Sequence, residues 1–223
     1  MIVVGFILFG VYVDKNNGLP NRVPDVAKFE ANFPTIKNGY CFYAVTREEL
    51  SLSLGADGTE CNLGDASGSR SGILIGDSFA GQYEPLWDVV GQKLGIKVNA
   101  ITTNACFPSL DSSYRVNGQG RAYEQCVFNR NFFRENISKY DVVILGAAWG
   151  DYVKFDFVNE IKKIIAEVSK NEALLVIMSA PKYHDLDLLA VYRNSRWRGV
   201  AINYHSVPSM PDAEMLEANL TLE

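Results

Sequence analysis

The chain has 223 residues, of which 48% are hydrophobic and 21% are charged, an ordinary composition for a globular protein. This length suits one sizeable α/β domain and leaves little for a second. The formal net charge is −5 and no basic stripe is available to neutralise phosphates, which argues against nucleic acid as a partner.

The first thirteen residues are apolar and carry no charge. A membrane-spanning helix needs about 20 such residues, and a secretory signal has a positive start and a cleavage site, so the segment fits neither by itself. A buried strand or core helix is the alternative. We interpret residues 1–13 as the end of a transmembrane helix whose earlier part is missing here, followed by a polar, proline-containing exit at residues 14–24.

Residues 14–70 are predicted to form a loop-rich linker and lead-in segment that contains the first two of four cysteines. Cys41 and Cys61 are 20 residues apart, as are Cys106 and Cys126, and neither spacing is that of a zinc or redox site. Four cysteines allow three pairings, of which the sequential one closes two short loops. We favour this pairing over four free thiols, and it predicts an extracytoplasmic compartment.

From residue 71 onwards, strand and helix patterns alternate. The predicted elements are strand Gly72–Ile75, a helix from about Ala80 to Leu94, strand Lys97–Thr102, a helix from about Ala122 to Glu135, strand Asp141–Leu145, a helix from about Phe157 to Lys170, and strand Leu174–Ser179. A short helix at Leu186–Tyr192 and a final helix from near Pro211 follow. This alternation predicts an α/β fold over residues 71–223, with a doubly wound, mainly parallel sheet. Dinucleotide and P-loop motifs are missing from the sequence, so we expect no cofactor. With two histidines and no C-x-x-C pair, we expect no metal site.

The first predicted strand ends abruptly at Gly76-Asp77-Ser78, and a helical pattern follows. Open α/β sheets bind ligands at the carboxyl ends of their strands, and helix N–H groups there favour developing negative charge. Ser78 is therefore placed where a nucleophile is useful. The alternative is a turn that only caps a helix, since Asp and Ser are preferred N-cap residues.

The block from Ile73 to Ala80 resembles the first block of the SGNH (GDSL-like) esterases and acyltransferases, in which the matching serine is the catalytic nucleophile. Carried onto this chain, that serine is Ser78. The order of features along the whole chain is similar to the extracytoplasmic SGNH domain fused to acyltransferase family 3 membrane proteins, which O-acylate bacterial surface glycans. Those features are the apolar start, the Gly-Leu-Pro-x-Arg exit, the two cysteine pairs around the GDSF block, and ILGAAW at the third block.

This resemblance implies an α/β/α sandwich of the SGNH-hydrolase type and O-acyl transfer, specifically O-acetyl transfer, through an acyl-enzyme on Ser78. It implies a membrane acyltransferase domain upstream as partner and a carbohydrate as acceptor. The domain would be anchored to the inner membrane and lie in the periplasm or outside the cell. Two alternatives remain open: a free-standing SGNH carbohydrate esterase, and a non-catalytic glycan-binding domain.

The resemblance also has departures in the blocks that stabilise the oxyanion. In the family, the second block supplies a glycine and the third an asparagine. Here the second block is Thr103–Cys106 without a clear glycine, and the third strand ends in Gly146–Trp149 without the asparagine. We expect backbone N–H groups near Ser78, with help from the Trp149 region, to act as donors. The alternative for Trp149 is a core or pocket-wall aromatic. The residues expected to line the site are Asp77, Phe79, Ala105 and Trp149.

The family's last block is Asp-x-x-His, which supplies the base. The chain has only His184 and His205, and neither follows an aspartate at that spacing. We therefore expect the chain to be a fragment that lacks the last strand with the catalytic Asp and His, and to have little or no esterase activity by itself.

Overall fold

The computed structural model describes Gly5, Val11, Tyr12, Ile36 and the ranges 39–45, 52–114, 120–155 and 157–180. Of the predicted end of a membrane helix, residues 1–13, only Gly5, Val11 and Tyr12 are described. Both histidines and the helices predicted after residue 180 lie outside the described residues. All described residues from Ile36 onwards belong to one compact unit. Among the described helices, none has the length and apolar character needed to cross a membrane.

Five strands form one sheet: β1 Asn62–Gly64, β2 Arg70–Gly76, β3 Ile96–Thr102, β4 Val142–Gly146 and β5 Leu174–Met178. Their spatial order is β1-β3-β2-β4-β5. Strands β2 to β5 are parallel, and β1 pairs with β3 in the antiparallel sense. The predicted α/β fold with a mainly parallel sheet is confirmed. Strand β1 lies in the segment predicted to be a loop. The sequence does not indicate this strand, because three residues are too few to show an alternating pattern.

The helices are α1 Ser78–Gln82, α2 Glu84–Leu94, α3 Arg121–Asn136, α4 Trp149–Tyr152 and α5 Phe157–Lys170, with 3₁₀ turns at Ala56–Thr59, Ile137–Lys139 and Val153–Phe155. The prediction of a single helix from about Ala80 to Leu94 is wrong, because the structure has two helices, α1 and α2, with Tyr83 between them. Proline has no N–H and its ring clashes with the carbonyl four residues earlier, so Pro85 does not allow α1 to continue into α2.

The sheet is buried on both faces. Ile73 and Ile75 of β2 pack with α5 residues in one apolar cluster, whereas Leu74, between them, packs with Trp87 of α2 in another. Alternate side chains of a strand point to opposite faces, so both faces of β2 need apolar residues. This requirement explains the unbroken apolar run before Gly76.

Both predicted disulfides are formed, Cys41–Cys61 and Cys106–Cys126. The first joins the lead-in segment to the residue before β1. The second joins the loop after β3 to helix α3. Together they fix the two segments of irregular chain that approach the carboxyl end of the sheet.

Candidate active site

The site is built around the serine turn, Gly76–Ser78, at the carboxyl end of β2. Strand β3 lies on one side of β2 and β4 on the other. The chain therefore adds its parallel strands first on one side of β2 and then on the other. Such a switch point is where open α/β sheets bind ligands. Ser78 is the first residue of α1 and is exposed, and its hydroxyl has no hydrogen-bond partner within the described part of the chain. The hydroxyl is therefore accessible to a ligand.

Asp77 makes the helix cap. Its Oδ1 accepts a hydrogen bond from the N–H of Phe79 at 2.8 Å, and its Oδ2 accepts one from the N–H of Ala148 at 2.9 Å. The Tyr152 hydroxyl donates to the same Oδ2 at 3.4 Å. Only 3% of Asp77 is exposed, and this burial raises the pKa of its carboxyl to about 6, although the hydrogen bonds oppose the rise. Asp77 thus ties the serine turn to the turn after β4, and Ser78 takes no part in the cap.

Close backbone packing also shapes this end of the sheet. A Cβ atom on Gly76 would lie 1.7 Å from the carbonyl oxygen of Gly146, and one on Gly146 would lie 3.0 Å from Ala80. Both positions face each other across the β2–β4 pair. The two glycines therefore allow helix α1 to begin directly on the ends of these strands.

The loop after β3 brings the second block beside the serine turn. The N–H of Thr103 donates to the carbonyl oxygen of Gly76 at 3.1 Å. Two residues later, Ala105 has a φ of 49°, in the left-handed region that glycine adopts most readily. Ala105 thus holds a backbone conformation that favours glycine, in the segment where the resemblance predicts a glycine. The sequence does not indicate this conformation of Ala105, because alanine usually adopts helical or extended backbone angles.

Trp149 lies in the core. It is 0% exposed, its ring packs edge-on against Phe107 at 5.8 Å, and its indole N–H donates to the carbonyl oxygen of Met178 at 2.7 Å. An indole N–H bonded in this way is not available to an oxyanion in the same conformation. Phe79 is half-buried and packs against the same apolar cluster. These placements match the core-aromatic alternative for Trp149.

Sequence reasoning missed a buried carboxyl beside the site. Glu84 begins α2 and is 0% exposed. Its Oε2 accepts hydrogen bonds from the N–H groups of Cys41 at 2.6 Å and Phe42 at 3.0 Å, and its Oε1 accepts one from the Thr102 hydroxyl. Burial raises the pKa of Glu84 to about 7. A glutamate at the start of an amphipathic helix gives no sign in the sequence that it will be buried.

Glu84 holds the lead-in segment against the serine helix. The Phe42 ring lies so near Gly81 of α1 that a Cβ on Gly81 would be 2.6 Å from the ring. Tyr43 forms a parallel bridge to Thr103 at the end of β3. The lead-in segment therefore forms a wall one helical turn from Ser78.

The described residues place an exposed serine hydroxyl at the carboxyl ends of the strands, and they contain no cluster of side chains that could hold a metal ion. The candidate bases, His184 and His205, lie outside the described residues. The arrangement exposes the Ser78 hydroxyl at the start of a helix, where N–H groups stabilise negative charge.

Comparison with known proteins places this geometry in a family. A family model described as "SGNH domain (fused to AT3 domains)" matches residues 41–217. The periplasmic domain of the Salmonella ser. Paratyphi A lipopolysaccharide acetyltransferase has a similar structure, with a TM-score of 0.51 and 15% identity over 90% of this chain and 75% of that one.

An active-site mutant of a family two carbohydrate esterase from Clostridium thermocellum has a TM-score of 0.36 and 17% identity over 69% of this chain and 62% of that one. A search of curated protein sequences gave no match. The acetyltransferase domain supports the SGNH-hydrolase-like fold, and the family model covers well over half of the chain. The chain therefore belongs to the family of SGNH domains that are fused to AT3 domains.

Proposed function

We propose that this chain transfers an O-acyl group, specifically acetyl, to a hydroxyl of a bacterial cell-surface carbohydrate through an acyl-enzyme on Ser78. The observation that carries this proposal is the exposed Ser78 hydroxyl at the start of α1, which has no hydrogen-bond partner among the described residues because Asp77 makes the cap. Membership of a family fused to AT3 domains supports acyl chemistry. The choice of acetyl follows the acetyltransferase domain with a similar fold.

In the first half-reaction, Ser78 Oγ attacks the carbonyl carbon of an acyl ester or thioester donor. A general base takes the hydroxyl proton, and the carbonyl π electrons move onto oxygen. The tetrahedral intermediate collapses as the bond to the donor's leaving oxygen or sulfur breaks, and the base returns the proton to that atom. In the second half, a sugar hydroxyl attacks the Ser78 ester, its proton passes to the base, and Oγ leaves with a proton.

The developing oxyanion needs N–H donors. We place these in the first turn of α1 and at Ala105, whose left-handed conformation turns the loop after β3 beside the serine turn. Trp149 then supports the site as a packed wall, while Asp77 and Phe79 fix the turn. The resemblance assigns the base to a histidine of an Asp-x-x-His block, and neither His184 nor His205 has that context.

The same proposal covers the rest of the chain. Residues 1–13 would end a transmembrane helix, residues 14–70 would form the disulfide-pinned lead-in, and residues 71–223 would belong to the SGNH domain. An upstream membrane acyltransferase domain would deliver the acyl group, with this domain held in the periplasm or outside the cell. The two disulfides support an oxidising compartment.

An activated phosphonate that reacts covalently with nucleophilic serines tests the proposal. The full gene product is treated with the probe, digested, and its labelled peptide identified by mass spectrometry. We expect the label on Ser78, no label in Ser78→Ala, and unchanged labelling in Ser67→Ala, a control at an exposed turn before β2. An unlabelled Ser78 would favour the glycan-binding alternative.

Transfer and hydrolysis are separated by the fate of the acyl group. With an acetyl ester donor and an oligosaccharide, the proposal predicts acetyl on the sugar at the expense of free acetate. Release of acetate alone, unaffected by the sugar, would indicate the carbohydrate esterase instead.

A further inference from the structure

The turn after β3 lies beside Ser78 by strand register. In the parallel β2–β3 pair, Gly76 is opposite Thr102, and the N–H of Thr103 continues the ladder by donating to Gly76 at 3.1 Å. Two positions beyond this pair, the two segments reach Ser78 and Asn104. Neighbouring strands are about 4.8 Å apart, so this register brings the Asn104 turn to the edge where the nucleophile stands.

The Asn104 carboxamide makes no hydrogen bond to any described residue. Its Oδ1 is buried without a hydrogen-bond partner, although the residue as a whole is partly exposed. A buried, unpaired polar atom costs about 1–3 kcal/mol, so one that a native structure retains needs an explanation. The amide donor of Asn104 is left open at the carboxyl edge of the sheet.

The next residue carries a second local cost. Ala105 has a φ of 49°, and such a conformation in a residue other than glycine is sustained only where the surroundings impose it. Strained backbone of this kind concentrates at active sites. Two adjacent residues with unfavourable features indicate that this turn is shaped for a ligand and not for stability.

On the opposite side of the site, two N–H groups of the turn after β4 are already hydrogen-bonded. Where the family's third block has an asparagine, this chain has Ala148, whose backbone N–H is already bonded to Asp77 Oδ2 at 2.9 Å. The Trp149 indole N–H is bonded to Met178. These two donors on the β4 side are therefore engaged, whereas the open side-chain amide lies on the β3 side.

We propose that the Asn104 amide N–H donates to the oxyanion formed on the acyl carbonyl oxygen, in place of the missing third-block asparagine; this rests on the proposed function of Ser78. As Oγ bonds to the acyl carbon and the π electrons move onto oxygen, the amide hydrogen bond strengthens and the negative charge is stabilised. Asn104 is then a catalytic residue that contacts the reacting atoms.

The test compares Asn104→Ala with wild type in the full gene product, using an acetyl ester as substrate. Loss of one oxyanion donor lowers kcat by about 10²–10³-fold in a serine hydrolase, and we expect a loss of this size with KM changed by less than about threefold. Thermal stability should stay equal or rise, because the variant removes the buried, unpaired oxygen. Asn171→Ala is the control, since Asn171 lies between α5 and the start of β5, at the amino end of the parallel strands.

Asn104→Asp tests the donor directly, because it keeps the shape and removes the N–H groups. Its kcat should fall at least as far as that of Asn104→Ala. If wild type acylates Ser78 and both Asn104 variants keep kcat within twofold, the role of Asn104 is wrong and that of Ser78 stands. If wild type itself does not acylate Ser78, the proposed function fails and the role of Asn104 fails with it.

Discussion

Asp77 shows how one side chain can connect two turns at the carboxyl end of the sheet. Its two oxygens serve N–H groups on Phe79 and Ala148, and the second of these is 71 residues away along the chain. A carboxylate can accept on both sides, whereas a carboxamide must present an NH₂ group to one of the two donors. The residue type at position 77 is therefore set by its partners and not only by helix capping.

We predict that Asp77→Asn lowers the free energy of unfolding by about 1–3 kcal/mol, because one buried N–H loses its acceptor. Denaturant unfolding measures this change. Asp151→Asn is the matched control, since Asp151 is exposed on α4, and it should change stability by less than about 0.5 kcal/mol. Equal stability of the Asp77 variant and wild type would show that these bonds do not hold the turn.

Glu84 predicts a pH dependence of stability. Its pKa rises from 4.5 to about 7 on folding, so the folded chain keeps a proton that the unfolded chain releases. The stability from this group is complete below pH 4.5 and is lost as the pH rises to about 7. In Glu84→Gln, the amide oxygen can accept from Cys41 and Phe42, and the NH₂ group can donate to the Thr102 hydroxyl.

We therefore expect the free energy of unfolding of wild type to fall by up to about 3 kcal/mol more than that of Glu84→Gln between pH 4.5 and 8. Urea titrations at several pH values give the two slopes. Asp77 contributes to both slopes in the same direction and cancels in the comparison. Parallel slopes would contradict the burial of an ionisable Glu84.

At the scale of elements, the site depends on two strands that end without side chains. Gly76 of β2 and Gly146 of β4 are paired in the sheet, and α1 rests on them. A short α1 is stable here because it is packed on the sheet and capped, not because five residues form a helix alone. The break before α2 at Tyr83 then lets Glu84 turn inward to the lead-in segment.

A matched pair of glycine substitutions in β2 tests this packing. In Gly76→Ala, the new Cβ would meet backbone oxygen at 1.7 Å, which forces β2 and β4 apart. In Gly72→Ala, at the other end of the strand, the nearest atom is a side-chain methyl of Ile96 at 3.3 Å. We expect Gly76→Ala to cost more than about 3 kcal/mol or prevent folding, and Gly72→Ala to cost less. Thermal unfolding followed by circular dichroism measures the stability of both variants. A Gly76→Ala variant at least as stable as Gly72→Ala would contradict the close approach of Gly76 to Gly146.

At the scale of the whole molecule, the disulfides fix the irregular chain around the site. Each closes a loop with a sequence separation of 20, for which the chain-entropy model gives about 3 kcal/mol. We predict that the double variant Cys106→Ala with Cys126→Ala loses about this much unfolding free energy under oxidising conditions. Reduced wild type should lose more, since both bridges open. A double variant as stable as oxidised wild type would contradict the prediction.

The parts of the fold that were predictable are those whose burial leaves a pattern in the sequence. Strands β2 and β4 are apolar on both faces, and the predicted bounds of α5, Phe157–Lys170, agree with the structure because its apolar residues follow helical spacing. Strand β1 and the break at Tyr83 were missed, since one is short and the other depends on the position of Pro85 within the turn.

The candidate site was predictable only at its centre. The strand–turn–helix pattern indicated Ser78, but the bond from Asp77 to Ala148, the burial of Glu84 and the conformation of Ala105 depend on segments distant in sequence. The open amide of Asn104 also has no signature in the sequence, because an unpaired atom is recognisable only from its surroundings.

The most direct test of the central claim is to trap the acyl group. The full gene product is mixed with an acetyl donor, quenched in acid during turnover, digested, and analysed by peptide mass spectrometry. The account predicts an acetyl group on Ser78 that disappears when a carbohydrate acceptor is added and reappears on the sugar. Transfer to the sugar at an undiminished rate in Ser78→Ala, with no acetyl on the Ser78 peptide of wild type, would contradict it.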